Sequence, residues 1–258
     1  MKRRWLIRAL LLVIAAAIPC FVFAEEGYWP PVEADDIHVL AWRFDTFASA
    51  PDDELARVAY GTAEGKLVVL QNKNDHYEEM WRSSELVTRV KEVQIDYVVD
   101  DSTLSVIAYN TRGTLFVFDL DRQRLMWRTH EARFSSIEAM TLANVDSDEQ
   151  MEIIFLASGK LYIFDGRDYV EEWSSTQIFD AKDVVAGDVD GDGQAEIVLS
   201  TGHVLDGATR GLEWESTQEF GDCLRLADVD GDGRLEVIAG SEKATTIWDI
   251  DERRQKWD

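Results

Sequence analysis

Tryptophan recurs along this chain at a nearly constant interval, and this repeat constrains the fold more than any other feature. The gaps between successive tryptophans are 46, 46, 41 and 43 residues, for Trp81, Trp127, Trp173, Trp214 and Trp257. In four units an aspartate stands eight residues before the tryptophan and ends a short apolar run (Asp119, Asp165, Asp206 and Asp249). A period in the forties is typical of repeat architectures. No unit of this size buries its own apolar face, so we expect like units to pack against one another.

Each unit reads as four short strands joined by three turns, most clearly in the third unit. There SIEAMTLANV is followed by an acidic turn, then MEIIFLAS, GKLYIFDG and EEWSS. The second strand is a continuous apolar run, which is typical of a strand covered on both faces. Gly65, Gly113 and Gly159 mark the turn into the third strand, and helical periodicity is lacking beyond residue 24. The sequence therefore predicts an all-β propeller of four-stranded antiparallel blades.

The repeats predict five blades, at about 35–86, 87–132, 133–176, 177–218 and 219–258. Trp29 precedes Asp45 by 16 residues, much as Trp81 precedes Asp96 by 15, so the N-terminal segment is a candidate for an extra outer strand that closes the ring. An open stack, or a larger ring completed by another chain, is the alternative. We expect the repeated tryptophans to pack between blades. Trp42 and Trp248 fall outside the register, and for both residues we favour packing in the core over an exposed contact with a partner.

The first residues resemble an export signal. A basic start is followed by an apolar run from Ala9 to Phe23 and small residues near Ala24, so residues 1–24 are interpreted as a signal peptide and 25–258 as the propeller. An uncleaved anchor is the alternative, but the run is shorter than the roughly 20 residues that span a bilayer. We expect a periplasmic, cell-surface or extracellular protein with no membrane span after cleavage. Cleavage would leave Cys223 alone, without a disulfide partner and as a small buried core residue.

The net charge of −24, with 26 basic and 50 acidic residues, excludes some partners. Removal of the four basic residues of the signal leaves 22 basic residues and a charge of −28. Nucleic acid binding needs basic stripes that this chain lacks, and anionic membrane surfaces are disfavoured for the same reason. The carboxylates keep the surface soluble, and some of them are candidate cation ligands.

The first turn of the last two units carries the most specific chemistry. DVDGDGQAE (188–196) and DVDGDGRLE (228–236) place carboxylates at positions 1, 3, 5 and 9 and glycines at positions 4 and 6. Calcium takes six to eight oxygen ligands, and a loop supplies them only by curling around the ion, which glycine permits through a positive φ. The predicted ligands are the side chains of positions 1, 3, 5 and 9 and the carbonyl of position 7, namely Asp188, Asp190, Asp192, Gln194 and Glu196, and Asp228, Asp230, Asp232, Arg234 and Glu236.

These turns are not EF-hands, because position 12 is Leu199 or Ala239 instead of glutamate and a strand follows at once. The third unit has NVDSDEQME, with Glu149 where the second glycine stands in the other turns, and predicts a weaker third site. Its ligands would be Asn144, Asp146, Asp148, Gln150 and Glu152. The first two units have lost this spacing, and we expect no ion there.

The acidic turns resemble the calcium loops of FG-GAP and VCBS repeats, the blade units of integrin α-subunit propellers and of many bacterial exported proteins. This resemblance covers the last three units. Over all five units, the GxLYxFD run followed by tryptophan also resembles quinoprotein-like propellers, including outer-membrane assembly scaffolds. In the integrin-like family the ion loops support one face while partners bind loops on the other. The resemblance therefore implies a structural role for calcium.

Motifs for catalysis are lacking: the chain has no GxSxG elbow, HExxH helix or phosphate-binding glycine loop. We predict a non-enzymatic propeller that binds a protein or a carbohydrate. The candidate binding surface comprises the turns after each tryptophan (RSSEL, RTHEARF, SSTQIF and ESTQEF) and the turns near Asn110, Gly159 and Gly202. Two alternatives stay open: a carbohydrate-active enzyme with paired carboxylates at the ring centre, and a scaffold of the outer-membrane assembly type.

Overall fold

Five antiparallel sheets make up the described part of this protein. The computed structural model describes residues 57–74, 76–100, 102–146, 148 and 150–257, together with the backbone of residues 47–49. These residues form twenty strands and no helix, and each sheet holds four strands paired in chain order. The prediction of an all-β propeller with four-stranded blades is confirmed, and the blade count agrees with five.

The strands of the five blades have the following bounds. Blade 1 has β1 (Phe47–Ser49), β2 (Val58–Gly61), β3 (Leu67–Lys73) and β4 (His76–Arg82). Blade 2 has β5 (Val90–Asp96), β6 (Ser105–Asn110), β7 (Leu115–Asp119) and β8 (Arg124–Arg128). Blade 3 has β9 (Ala139–Ala143), β10 (Glu152–Ala157), β11 (Lys160–Asp165) and β12 (Glu171–Ser174). Blade 4 has β13 (Val184–Gly187), β14 (Glu196–Leu199), β15 (His203–Asp206) and β16 (Leu212–Glu215). Blade 5 has β17 (Cys223–Ala227), β18 (Glu236–Gly240), β19 (Thr245–Asp249) and β20 (Arg254–Trp257).

The core consists of apolar layers between successive blades. One cluster joins blades 1 and 2, and others join blades 2 and 3, blades 3 and 4, and blades 4 and 5. The second strands β6 and β10 are buried along their whole length, because each of their faces meets a different neighbouring blade. This agrees with the continuous apolar runs in their sequences.

The repeated tryptophans pack between blades, as predicted, except for the last. Trp81 lies against Phe118 of the next blade with ring centroids 5.2 Å apart, and Trp127 lies 5.9 Å from Phe164 in the same way. Trp214 packs on Trp248, at 6.4 Å. Trp248 is only 5% exposed, so core packing holds for this residue outside the register. Trp257, on β20, is 56% exposed.

The prediction for Cys223 is wrong: its side chain is exposed. Alternation along β17 directs Leu224 into the layer shared with blade 4, where it is fully buried, and therefore directs Cys223 to the opposite face of the sheet. Several other predictions fall outside the described residues, namely the signal peptide at 1–24, the closing role of Trp29 and the packing of Trp42. Within the described part of the chain, no helix has the length and apolar character needed to cross a membrane.

The meander order places the turns of each blade at two opposite ends. The turns from first to second strand and from third to fourth strand share one end, which we call the acidic face because it holds 144–151, 188–195 and 228–235. The turns from second to third strand share the other end with the segments that follow each fourth strand, and we call this the loop face. There Leu86 N donates to Gly65 O at 2.7 Å, and Phe179 N donates to Gly159 O at 2.7 Å. The two sets of turns proposed for partner binding therefore contact each other.

Candidate metal sites

Each acidic turn ends at a buried glutamate that begins the second strand of its blade. Glu152, Glu196 and Glu236 are 0%, 1% and 2% exposed. In each, Oε2 accepts a hydrogen bond from the backbone N–H seven residues earlier, at 2.7, 3.0 and 2.9 Å. Strand pairing fixes the backbone of the glutamate, and this hydrogen bond fixes its carboxylate. The turn is thereby closed around the position-9 side chain.

The glycines of the fourth and fifth blades let the turn curl around its first aspartate. Asp188 accepts hydrogen bonds from the N–H groups of Gly191 (2.7 Å) and Gly193 (3.0 Å). These glycines have φ values of 82° and 90°, in the left-handed region that residues with a side chain rarely adopt. The turn of blade 5 repeats this pattern at Asp228, with donors at 2.6 and 3.1 Å. The predicted need for positive φ is confirmed.

Three carboxylates converge in each turn. One oxygen from each lies within 4.8 Å of the others in three groups: Asp146, Asp148 and Glu152; Asp188, Asp190 and Glu196; and Asp228, Asp230 and Glu236. Asp192 and Asp232 lie outside these groups, and each instead accepts the N–H of the residue at position 7, at 2.8 and 2.9 Å. The structure thus brings together three of the four predicted carboxylate ligands in blades 4 and 5.

The turn of blade 3 is built differently from the other two. Its position-5 residue, Asp148, belongs to the carboxylate group, whereas Asn144 at position 1 donates from Nδ2 to Asp148 O at 2.6 Å. The Asn144 Oδ1 atom accepts the N–H of Asp146 at 3.3 Å. The carbonyl ligands predicted at Gln150, Gln194 and Arg234 remain predictions.

Burial and like charge disfavour the ionised form of two of the glutamates. Burial, opposed by a backbone hydrogen bond and reinforced by the charge of Asp146, raises the pKa of Glu152 to about 7. Burial also raises the pKa of Glu196 to about 7, with Asp190 adding repulsion. Glu152 Oε1 is buried and has no hydrogen-bond partner. An oxygen-rich site with an unpartnered buried carboxylate oxygen fits a hard cation such as calcium.

The sequence prediction of the metal sites does not include the residue that immediately precedes the register tryptophan in blades 3, 4 and 5. Glu172 on β12 and Glu213 on β16 lie near the acidic turns of their blades: burial raises the pKa of both, and the charges of Asp146 and Asp190 respectively raise it further. In blade 5 the same position is Lys256, whose Nζ lies 2.8 Å from Asp230 Oδ2 and 2.9 Å from Glu236 Oε1. The tryptophan register would have revealed these three residues, since each occupies the position directly before its tryptophan.

In calcium-free buffer, the free energy of unfolding is expected to fall as the pH rises from about 5 to about 8. Folding raises the pKa of Glu152 and Glu196 from 4.5 to about 7, so the folded chain binds protons here that the unfolded chain has released. That contribution is complete below the unfolded pKa and is lost as the pH passes through about 7. Urea denaturation across this range, with a chelator present, measures it.

The control is the double variant Glu152→Gln with Glu196→Gln, in which this pH dependence should be flattened. Asp100, with its pKa lowered to about 2 by hydrogen bonds from Ser102 and Thr103, titrates below the window and does not disturb the comparison. A wild-type stability that rises between about pH 5 and pH 8 would contradict the assignment.

Comparison with known proteins agrees with the repeat seen in the sequence. Residues 144–199 match the family model described as FG-GAP-like repeat, a segment that runs from the acidic turn of blade 3 to the end of β14. The resemblance to FG-GAP repeats is therefore confirmed for this segment. No curated protein matches the chain.

Among solved structures, the chain matches BamB from Moraxella catarrhalis, with 16% identity and a TM-score of 0.49. The match covers 81% of this chain and 62% of the BamB chain. The chain thus spans less than two thirds of the length of that structure.

Proposed function

We propose that this chain is an exported, calcium-binding β-propeller that acts as a non-enzymatic module for binding another protein. The observation that supports calcium most directly is the buried, unpartnered Oε1 of Glu152 beside Asp146 and Asp148. In this proposal the ion stabilises the turns of the acidic face by neutralising carboxylates that the strands hold close together. The loop face then remains free for the partner. The basic and apolar character of residues 1–24 supports the export part of this proposal.

The loop face carries exposed aliphatic side chains among polar ones. Val87 is 53% exposed and Ile178 is 59% exposed, and each follows the fourth strand of its blade. Val87 also has a φ of 72°, and Thr88 N donates to Leu86 O at 2.8 Å around it. This is a γ-turn with a left-handed centre, which is rare and strained for a β-branched residue. A strained backbone at an exposed residue makes it a candidate contact residue, and aliphatic contacts favour a protein over a carbohydrate.

Not every residue of the loop face is available for binding. A hydroxyl residue stands two positions after the tryptophan in three blades, namely Ser83, Thr129 and Ser175. Each hydroxyl accepts a hydrogen bond from a backbone N–H at the start of the third strand, at 2.9, 3.0 and 3.1 Å respectively. All three residues are buried. This repeated hydroxyl is structural, although it lies within the turns that the sequence predicts as the binding surface.

Replacing Val87 by Asn and Ile178 by Asp is expected to weaken partner binding by about tenfold or more, the effect of removing roughly 1.4 kcal/mol of apolar contact. Asparagine tolerates the left-handed backbone at position 87, so the turn is retained. The measurement is a pull-down from the native extract with residues 25–258, with and without calcium, followed by titration of the captured protein.

The matched control is Leu212→Asp, an equally exposed aliphatic residue (54%) at the start of β16, far from the loop face. Unchanged binding in the loop-face variant, together with loss in Leu212→Asp, would place the partner on the other end of the propeller. Capture of a polysaccharide in place of a protein would refute the proposed partner class.

A further inference from the structure

One position distinguishes the fifth blade from the third and fourth. The residue before the register tryptophan is Glu172 in blade 3, Glu213 in blade 4 and Lys256 in blade 5. All three lie on the fourth strand, which pairs with the third strand of the same blade. At equivalent places beside equivalent acidic turns, two blades therefore add a carboxylate and one blade adds an ammonium.

The ammonium of Lys256 lies within the carboxylate group of blade 5. Its Nζ is 2.8 Å from Asp230 Oδ2, 2.9 Å from Glu236 Oε1 and 3.4 Å from Asp249 Oδ2. The side chain of Lys256 is 12% exposed and that of Glu236 is 3% exposed, so water screens the Lys256–Glu236 contact only in part. A lysine ammonium is charged at any physiological pH, because its ordinary pKa is about 10.4.

A calcium ion and this ammonium compete for the same oxygens. Calcium would need the carboxylates of Asp230 and Glu236 at about 2.3 to 2.6 Å, and both already bind Nζ. Two cations a few ångströms apart repel each other strongly in a partly buried site. In the described residues of blades 3 and 4, no lysine or arginine forms an ion pair with the grouped carboxylates; Arg210 instead lies 3.7 Å from Glu172 Oε2 and donates to Val145 O at 3.0 Å. Glu172 and Glu213 add negative charge beside these turns, which favours a metal ion.

We propose that Lys256 is a built-in cation of blade 5, which excludes calcium from the turn of Asp228, Asp230 and Glu236 and holds β20 against that turn without any metal. Calcium then binds only to blades 3 and 4, although the sequence of the fifth turn matches that of the fourth. This inference rests on the proposed function for the calcium sites of blades 3 and 4, but the state of blade 5 is tested separately. In this proposal, Lys256 keeps β20 packed against the acidic turn of blade 5 even when calcium is scarce.

The test isolates blade 5 in the whole chain. The double variant Asp146→Asn with Asp190→Asn removes a ligand from each of the other two sites, and isothermal titration with calcium chloride alone then reports on blade 5. We expect no binding. Adding Lys256→Gln should create one site, and adding Asp230→Asn should abolish it again. Lys243→Gln, which removes an exposed lysine in the turn between β18 and β19, is the matched control and should create no site.

Each result supports or overturns one of the two proposals. Suppose that the double variant binds calcium and that adding Asp230→Asn abolishes this binding. That result would overturn the role of Lys256 and leave the calcium-binding function standing. A failure of Lys256→Gln to gain a site would also overturn the role of Lys256. Lys256→Met, which keeps the aliphatic stem, is made in parallel in case Lys256→Gln is unfolded. Absence of binding to the wild type, with a gain in Lys256→Gln, would instead refute the calcium sites of blades 3 and 4 and support the role of Lys256.

Discussion

Truncation of Phe155 to alanine is expected to lower the free energy of unfolding by about 3 to 5 kcal/mol. Phe155 is fully buried on β10 and packs against Phe134, Phe164 and Tyr162, with ring centroids 5.2, 5.3 and 5.5 Å away. The cluster belongs to the layer between blades 2 and 3, so the cavity would weaken an interface between repeats. Because a domain has only about 5 to 15 kcal/mol of stability in total, this is a large loss. Urea denaturation followed by tryptophan fluorescence measures it.

The control for this prediction is Ile178→Ala, a truncation of an aliphatic side chain that is 59% exposed. It should change the free energy of unfolding by less than about 0.5 kcal/mol, as is usual for surface positions. A loss of less than about 1 kcal/mol for Phe155→Ala would mean that the layer between blades 2 and 3 is not a close-packed core.

The regular parts of this fold were predictable because a repeat states the same information several times. The spacing of Trp81, Trp127 and Trp173 defined the blades, and the apolar run of β10 predicted a strand buried on both faces, as the structure has it. The glycines Gly191 and Gly193 predicted a left-handed turn for a local steric reason, since only glycine adopts that backbone without cost. Local rules of this kind hold in any tertiary context.

The parts that could not be predicted depend on which neighbour a side chain meets. Cys223 was expected in the core, but the strand register turns it away from blade 4. Trp257 follows the register of tryptophans that pack partly buried against the next blade, yet it is 56% exposed. Asp192 was expected to contribute a ligand, and its carboxylate instead binds the N–H of Gln194. The direction of a side chain and the blade that faces it are tertiary properties, which the spacing of residues in the sequence does not predict.

Calcium is expected to raise the melting temperature of the wild-type chain by about 5 to 10 °C for each occupied site. A ligand that binds only the folded state stabilises it by about 2.7 kcal/mol at a hundredfold excess over its Kd, and 1 kcal/mol corresponds to about 2 to 4 °C for a domain of this size. The structure supplies the physical reason: Asp188, Asp190 and Glu196 hold three carboxylate oxygens within 4.8 Å of one another, and a divalent cation removes their repulsion. Thermal unfolding by circular dichroism, with calcium or with a chelator, measures the shift.

Asp190→Asn should lose the calcium-dependent gain of one site, because the amide keeps the shape of the ligand but not its charge. The metal-free melting temperature of this variant should equal or exceed that of the wild type, since one repulsive charge beside the buried Glu196 is gone. Asp121→Asn, at a side chain that is 53% exposed on blade 2, is the matched control and should keep the full calcium response. An unchanged melting temperature of the wild type after chelation would rule out calcium as a stabilising ligand. Loss of the calcium response in Asp121→Asn but not in Asp190→Asn would instead move the site away from the acidic turn. Only the replacement of a direct ligand should abolish the stabilisation by calcium while leaving the metal-free melting temperature undiminished.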